Sequence, residues 1–220
     1  MEVNLFDKMG SDLSVVNAAR VSFAKISEWE TIPHAGPTEG ALKYEDERLI
    51  KYLAKHGHWT PFGHGSLQFH IKAPVFVARQ LVKHQVGLVW NEVSRRYVNS
   101  APEFYTPEVW RGAPENKKQG SSDINIDIDP TYFTRMMDSA KWMYEHLIEI
   151  GVCPEQARIV LPQSMMTEWY WSVTLYAFAR VCNLRCKDDA QLETQMVANQ
   201  IDELAEEIFP YSWEALRNGN

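Results

Sequence analysis

The stretch SLQFHIKAPVFVARQLVKHQVGLVWNEVSRRYV, residues 66–98, changes its hydrophobic period partway along. Leu67, Phe69 and Ile71 alternate with Gln68, His70 and Lys72, the period of a strand with one buried face. Pro74 then opens a segment in which Val75, Val77, Ala78, Leu81 and Val82 supply an apolar face, and proline suits the first turn of a helix. Gly87 is the expected stop of that helix. A strand that feeds a helix at Pro74 predicts a chain that mixes the two, and the flanking sequence decides the proportions.

On the N-terminal side, EVNLF reads as a first strand, and Ser11 or Asp12 caps a short helix over SDLSVVNAARVSF. Residues 27–44, with Pro33, Gly36, Pro37 and Gly40, read as a loop. YEDERLIKYLAKHG is a helix stopped by Gly57, and HWTPFGHG is a turn. On the C-terminal side, residues 111–130 form a polar loop. Helices follow over TYFTRMMDSAKWMYEHLIEIG, the short PEQARIVLP and DDAQLETQMVANQIDELAEEIF. MTEWYWSVTLYAFARVCNLRC, residues 166–186, is apolar nearly all round and reads as one central buried helix. With no internal repeat and no linker, the expectation is a single α+β domain over residues 1–220, mostly helical, with a small, mainly antiparallel sheet.

A chain of 220 residues is long enough for one full core. Net charge -7 and a pI near 5.5 argue against a nucleic-acid partner, which needs a broad basic field, but leave room for a local basic pocket. Cys153, Cys182 and Cys186 form no CxxC pair, so a disulfide framework or cysteine-rich zinc site is not expected, and Cys182 and Cys186, four apart, read as buried small hydrophobes. No secretory signal is visible after Met1, and the most apolar segment, residues 169–179, is far shorter than the ~20 residues of a membrane span. The expected location is the cytoplasm, with no membrane partner.

Residues 76–98 gather Arg79, Lys83, Arg95 and Arg96 against the single acid Glu92. The segment is either a solvated basic face or an anion site. Arg79 and Lys83 are four apart, as are Gln80 and His84, so on a helix each pair lies along one face. WNEVSRRY then places Asn91, Glu92, Ser94, Arg95, Arg96 and Tyr97 within seven residues. Arginine offers a planar fork for phosphate or a pyrimidine edge, serine a neutral donor, and glutamate an acceptor for a ligand N–H. That set suits an anionic heterocycle. His56, His58, His64 and His70 match no metal-ligand spacing and lack a carboxylate cluster, so no metal is expected. Arg158, Arg180 and Arg185 stand in or beside apolar segments, where arginine needs a partner. That partner is either the acidic tail, which sets eight acids against Lys187 and Arg217 over residues 186–220, or a ligand phosphate or carbonyl.

In their order, NAARVSF, KHGHWTPFGH, IKAPVFVARQ, NEVSRRY, EFYTP, EQARIVLP and NLR followed by DAQLE resemble the flavin-dependent thymidylate synthases, over most of the chain. The resemblance implies that family's fold and a homotetramer whose active sites form between subunits. It implies flavin adenine dinucleotide (FAD), NADPH and 5,10-methylene-tetrahydrofolate as cofactors, and methylation of dUMP to dTMP with no cysteine nucleophile. By matching position, Gln80, Lys83, Glu92, Ser94, Arg95, Arg96, Arg158 and Arg185 look like nucleotide contacts. Among them Arg185, Ser94 and Glu92 look catalytic, with Arg185 polarising the base. Ser22, His58, Thr60 and His84 look like flavin contacts.

The chain also departs from the family pattern. Lys83-His84-Gln85 stands for Arg-His-Arg, with one residue more than usual before Ser94; Gly63 stands for an acid, Thr174-Leu175-Tyr176 for Asn-Ala-Arg, and Arg180 for Asn. These changes fall mostly on the flavin side, as in divergent, phage-type members acting in a host cytoplasm. They keep open a flavin-independent hydroxymethylation of dCMP or dUMP, in which water captures the methylene adduct. A non-catalytic nucleotide-binding scaffold is the remaining reading, disfavoured because such a protein gains nothing from desolvated arginines.

Overall fold

The structure, a computed structural model, describes residues 1–31, 40–115 and 120–218. Pro33, Gly36 and Pro37 of the expected loop, and residues 116–119 of the later one, lie outside the described residues. The elements are β1 (Glu2–Met9), α1 (Asp12–Arg20), β2 (Glu30–Thr31), β3 (Gly40–Ala41), α2 (Tyr44–Lys55), β4 (Ser66–Pro74), α3 (Val75–Leu81), β5 (Leu88–Glu92), β6 (Trp110–Arg111), β7 (Asn125–Ile126), α4 (Pro130–Glu149), α5 (Pro154–Ala157), β8 (Met166–Thr174), α6 (Leu175–Arg185), α7 (Leu192–Ile208) and α8 (Pro210–Asn218). Short 3₁₀ turns occupy Val21–Phe23, Pro61–His64 and Arg158–Val160. The fold is α+β, 48% helical, as expected.

The main sheet has the order β1-β4-β8-β5, antiparallel throughout. The β4 alternation works as read: Leu67, Phe69, Ile71 and Ala73 are buried, opposite Val173, Trp171, Trp169 and Thr167 of β8. On the other face Gln68 Nε2 donates to Ser172 Oγ at 2.6 Å, and His70 lies 3.1 Å from Glu168. The segment 166–186 is therefore not one helix: its first nine residues are the strand β8 and only Leu175–Arg185 is helical. Thr167, Trp169, Trp171 and Val173 are β-branched or aromatic residues buried at period two, the pattern that favours a strand. Thr174 ends the strand and caps the helix, its Oγ1 accepting from Ala177 N–H at 3.4 Å.

The helix after Pro74 also stops earlier than expected, at Leu81. The chain must return to the sheet so that Leu88 can pair with Val173, and Gly87, at φ +76°, makes that turn. The small pairs β2–β3 and β6–β7 lie where only loop was expected. Over the buried face, Phe178 of α6 meets Phe69 and Trp171 edge-on at 5.0 and 5.3 Å, and Ile201 of α7 and Trp213 of α8 join the same core. Asp12 is not the cap of α1, which is Ser11; its buried carboxylate instead accepts from Ser212 and Tyr211 N–H at 2.7 and 3.3 Å in the first turn of α8. Desolvation pushes the Asp12 carboxyl above its usual range against the pull of those bonds.

Phe178→Ala should cost about 3–5 kcal/mol, because it opens a cavity between both central strands. The measurement is urea unfolding, with the midpoint falling and the slope unchanged; an unaltered midpoint would contradict this packing.

Candidate active site

Arg185 closes α6, and its half-buried Nε donates to His84 Nε2 at 2.9 Å, just past the end of α3. Because arginine can only donate, that histidine nitrogen is an unprotonated acceptor. Among the described residues Arg185 has no carboxylate partner, so the acidic tail does not neutralise it. Burial lowers the guanidinium pKa. Desolvation, then the positive charges of Arg185 and Arg180, hold the His84 imidazole below the ordinary histidine range. The pair is thus a half-buried cation whose direction is fixed and whose charge is not cancelled, with further guanidinium N–H groups that hold no partner among the described residues and suit a carbonyl or phosphate oxygen. Gln80, on the same short helix as the approach to His84, bonds through both ends of its amide to Gln191 and Thr194 at the start of α7.

A second group follows β5. Glu92 accepts from Thr167 Oγ1 at 2.7 Å and from Trp90 Nε1 at 3.2 Å. Ser94 opens the next turn, accepting from Tyr97 N–H on its carbonyl at 2.9 Å and from Arg96 on its Oγ at 3.3 Å. Arg95 donates to the Ser100 carbonyl and lies over the Tyr144 ring at 5.9 Å. Arg96 is exposed over Tyr97 at 5.1 Å. Arg158 is exposed on its own 3₁₀ turn, holding only the Glu155 carbonyl at 3.3 Å, and Lys83 is exposed. No described hydrogen bond or ion pair joins this group to Gln80, His84 or Arg185.

Ser22, His58 and Thr60 are exposed on the turns after α1 and α2, and none of their side chains has a hydrogen-bond partner among the described residues. Buried Asp46 fixes the loop that carries Ser22, accepting from Arg20 at one end and Ser27 at the other. Exposed rings border these donors: Phe23 is 76% and Trp59 55% exposed, the latter 6.1 Å from Tyr176. Free donors beside apolar rings fit a large heterocycle carrying phosphates. His84, expected with this set, is held by Arg185 instead. No group of three metal-ligating side chains occurs among the described residues.

Two sequence expectations need correction. Cys182 is buried but Cys186 is only half-buried; the Cys182 thiol beside it lowers the Cys186 thiol pKa, while burial pushes Cys182 up. Arg180 is exposed, and Asn183 ties α6 to Leu216 and Arg217 of α8. The sequence reading also missed Thr167, Gln191, Thr194 and Glu193. Gln191 and Glu193 stand in the DAQLE motif, which could have pointed to them.

Fold and side chains together define an α+β protein in which Arg96, Arg158 and Arg185 have no carboxylate partner among the described residues. The family description "Thymidylate synthase complementing protein" matches residues 4–211. A flavin-dependent thymidylate synthase from Kosmotoga olearia is 37% identical over 220 residues, covering 98% of this chain and 90% of that one. One from Thermus thermophilus is 38% identical over 215 residues, covering 97% of this chain and 74% of that one. The crystal structure of a UMP/dUMP methylase from Streptomyces cacaoi bound with 5-Br dUMP superposes with a TM-score of 0.81 at 29% identity, covering 99% of this chain and 94% of that chain. The chain belongs to the flavin-dependent thymidylate synthase family.

His84 should titrate below the ordinary value of 6.5, and Arg185→Ala should raise its midpoint part of the way, burial remaining. Because the folded value is the depressed one, the stability tied to this group is full above about 6.5 and is lost as pH falls through the lower folded value. Histidine NMR titration of both proteins checks this; a midpoint at or above 6.5 in the unsubstituted chain would refute it.

Proposed function

We propose that the protein transfers a one-carbon unit to C5 of a pyrimidine deoxynucleotide 5′-monophosphate, methylating dUMP to dTMP. The observation that carries this reading is Arg185: half-buried, aimed by the acceptor nitrogen of His84 and without a carboxylate partner among the described residues. Such a group stabilises negative charge as it develops on a pyrimidine carbonyl. Glu92, Ser94, Arg95, Arg96, Arg158 and Lys83 supply the remaining donors and acceptors for base, sugar and phosphate. Exposed Arg96 and Arg158 have guanidinium N–H groups free for the phosphate. Ser22, His58 and Thr60, with the rings around them, would hold FAD. When bound and reduced, the flavin supplies the hydride that turns a transferred methylene into methyl. Methylene-tetrahydrofolate is the carbon source and NADPH the reductant in this reading.

The division of the site residues among unconnected groups supports active sites completed between subunits of a homotetramer. So does the outer face of the sheet, where Phe6 is 62%, Val89 63% and Tyr170 41% exposed. No helix among the described residues is long and apolar enough to cross a membrane, and we place the protein in the cytoplasm.

Mass spectrometry of dUMP and dCMP incubated with the enzyme, methylene-tetrahydrofolate, FAD and NADPH should show dTMP from dUMP. A 5-hydroxymethyl nucleotide, formed equally without flavin, would overturn the methylation reading in favour of hydroxymethylation; no product would favour the scaffold. Arg185→Ala should lower kcat by about 100- to 1,000-fold, the cost of removing a donor to developing negative charge.

A further inference from the structure

Gln80 is joined to a directed chain of hydrogen bonds that begins outside the site. Arg111 of β6 donates to Glu193 Oε1 at 2.7 Å, and its Nε holds Ser121 Oγ at 2.8 Å. Glu193 is 4% exposed, and its other oxygen, Oε2, accepts from Gln191 Nε2 at 3.2 Å. Gln191 Oε1 accepts from Gln80 Nε2, and Gln80 Oε1 accepts from Thr194 Oγ1 at 3.2 Å.

The ends of a carboxamide are nearly identical in shape, so only its neighbours decide which is donor and which acceptor. Here every choice is forced from one end. Arginine only donates, and the Glu193 carboxylate paired with it only accepts. Gln191 must therefore turn its NH₂ to Glu193 and its oxygen to Gln80. Gln80 must answer with its NH₂, which leaves its oxygen for Thr194, whose hydroxyl can play either part.

We propose that the Arg111–Glu193 pair is a positioning element that fixes, through Gln191, which end of the Gln80 amide faces the nucleotide as donor and which as acceptor. The proposal rests on the reading of Gln80 as a nucleotide contact. Glu193→Gln reverses the relay without emptying it. Arg111 still demands an oxygen, so the new amide turns its NH₂ to Gln191. Gln191 and Gln80 then turn over in sequence, and the Thr194 hydroxyl accepts where it had donated. The charge pair with Arg111 is lost but each hydrogen bond of the relay is kept, and Gln80 presents the opposite pattern to a pyrimidine edge whose own donors and acceptors are fixed.

The test is calorimetric titration of dUMP into the flavin-loaded enzyme and into Gln80→Ala, Glu193→Gln and the double variant. Gln191→Met, which cuts the relay at its middle, serves if Glu193→Gln folds poorly. Each single variant should weaken dUMP about tenfold, near 1.4 kcal/mol; Glu193→Gln gives up its charge pair with Arg111, so its unfolding temperature should fall while unfolding stays cooperative. The double variant should bind no more weakly than Gln80→Ala, because both changes act on one contact. A loss in Gln80→Ala with normal binding in Glu193→Gln and Gln191→Met overturns the relay, as do losses that add in the double variant. Normal binding by Gln80→Ala removes Gln80 from the nucleotide site, and the relay's role falls with it.

Discussion

The pairing of β4 with β8 is the constraint on which the rest of the molecule depends. Nine residues of each strand face nine of the other in unbroken antiparallel register, and each strand runs into its helix without a loop, at Pro74 and at Thr174. Antiparallel strands send their helices off from opposite ends of the pair, and both helices pack over the buried face, so that the ends of α3 and α6 meet at His84 and Arg185. A slip of one residue would carry Trp169 and Trp171 to the outer face and displace Arg185 by about 3.4 Å, beyond reach of His84. The packing of aromatic rings between the strands and α6 thus fixes the position of a guanidinium outside the core.

Charge is distributed with the same economy. Arg20, Arg111 and Arg217 each have a carboxylate, Asp46, Glu193 and Asp202, and each joins two elements of the fold. Arg185, Arg96 and Arg158 are given weaker partners: an imidazole, an aromatic ring with a hydroxyl, and a backbone carbonyl. A carboxylate would hold a guanidinium firmly but cancel the charge that an anionic ligand needs. A neutral histidine directs the group and leaves its charge intact, at the cost of desolvating it.

How much of this was legible depended on whether the signal was local. The β4 alternation and the apolar start of α3 are continuous in sequence and were read correctly. The strand β8 was not, because Trp169 and Trp171 on the buried face are interleaved with Tyr170 on the outer one, and rings on both faces hide a period of two behind general apolarity. The strands β6 and β7 are two residues each, too short to show any period. The residues matched to the family include Arg96, Arg158 and Arg185, which have no carboxylate partner among the described residues. Which of the matched residues share a group was beyond reach, since Gln80 meets Gln191 and His84 meets Arg185 only through the register of the sheet.

The departures from the family pattern gain meaning from that geometry. Lys83, which keeps its charge, and Gln85, which has none, are exposed, and half-buried Tyr176 lies 6.1 Å from Trp59 on the expected flavin side, whereas Leu175 beside it is fully buried. Thr174 pairs with Ser66 at the end of the strand register and caps α6, and none of the departures takes part in the bonds that join Arg185 to His84 or hold Gln80. An exposed side chain can change its charge at little cost to the fold, whereas a half-buried arginine held by one imidazole tolerates few substitutions. Exposure accounts for the departures at Lys83 and Gln85 but not for exposed Arg96 and Arg158, which match the family pattern. The altered residues on the expected flavin side leave intact the bonds of Arg185 and Gln80, on which the proposed grip on the nucleotide depends.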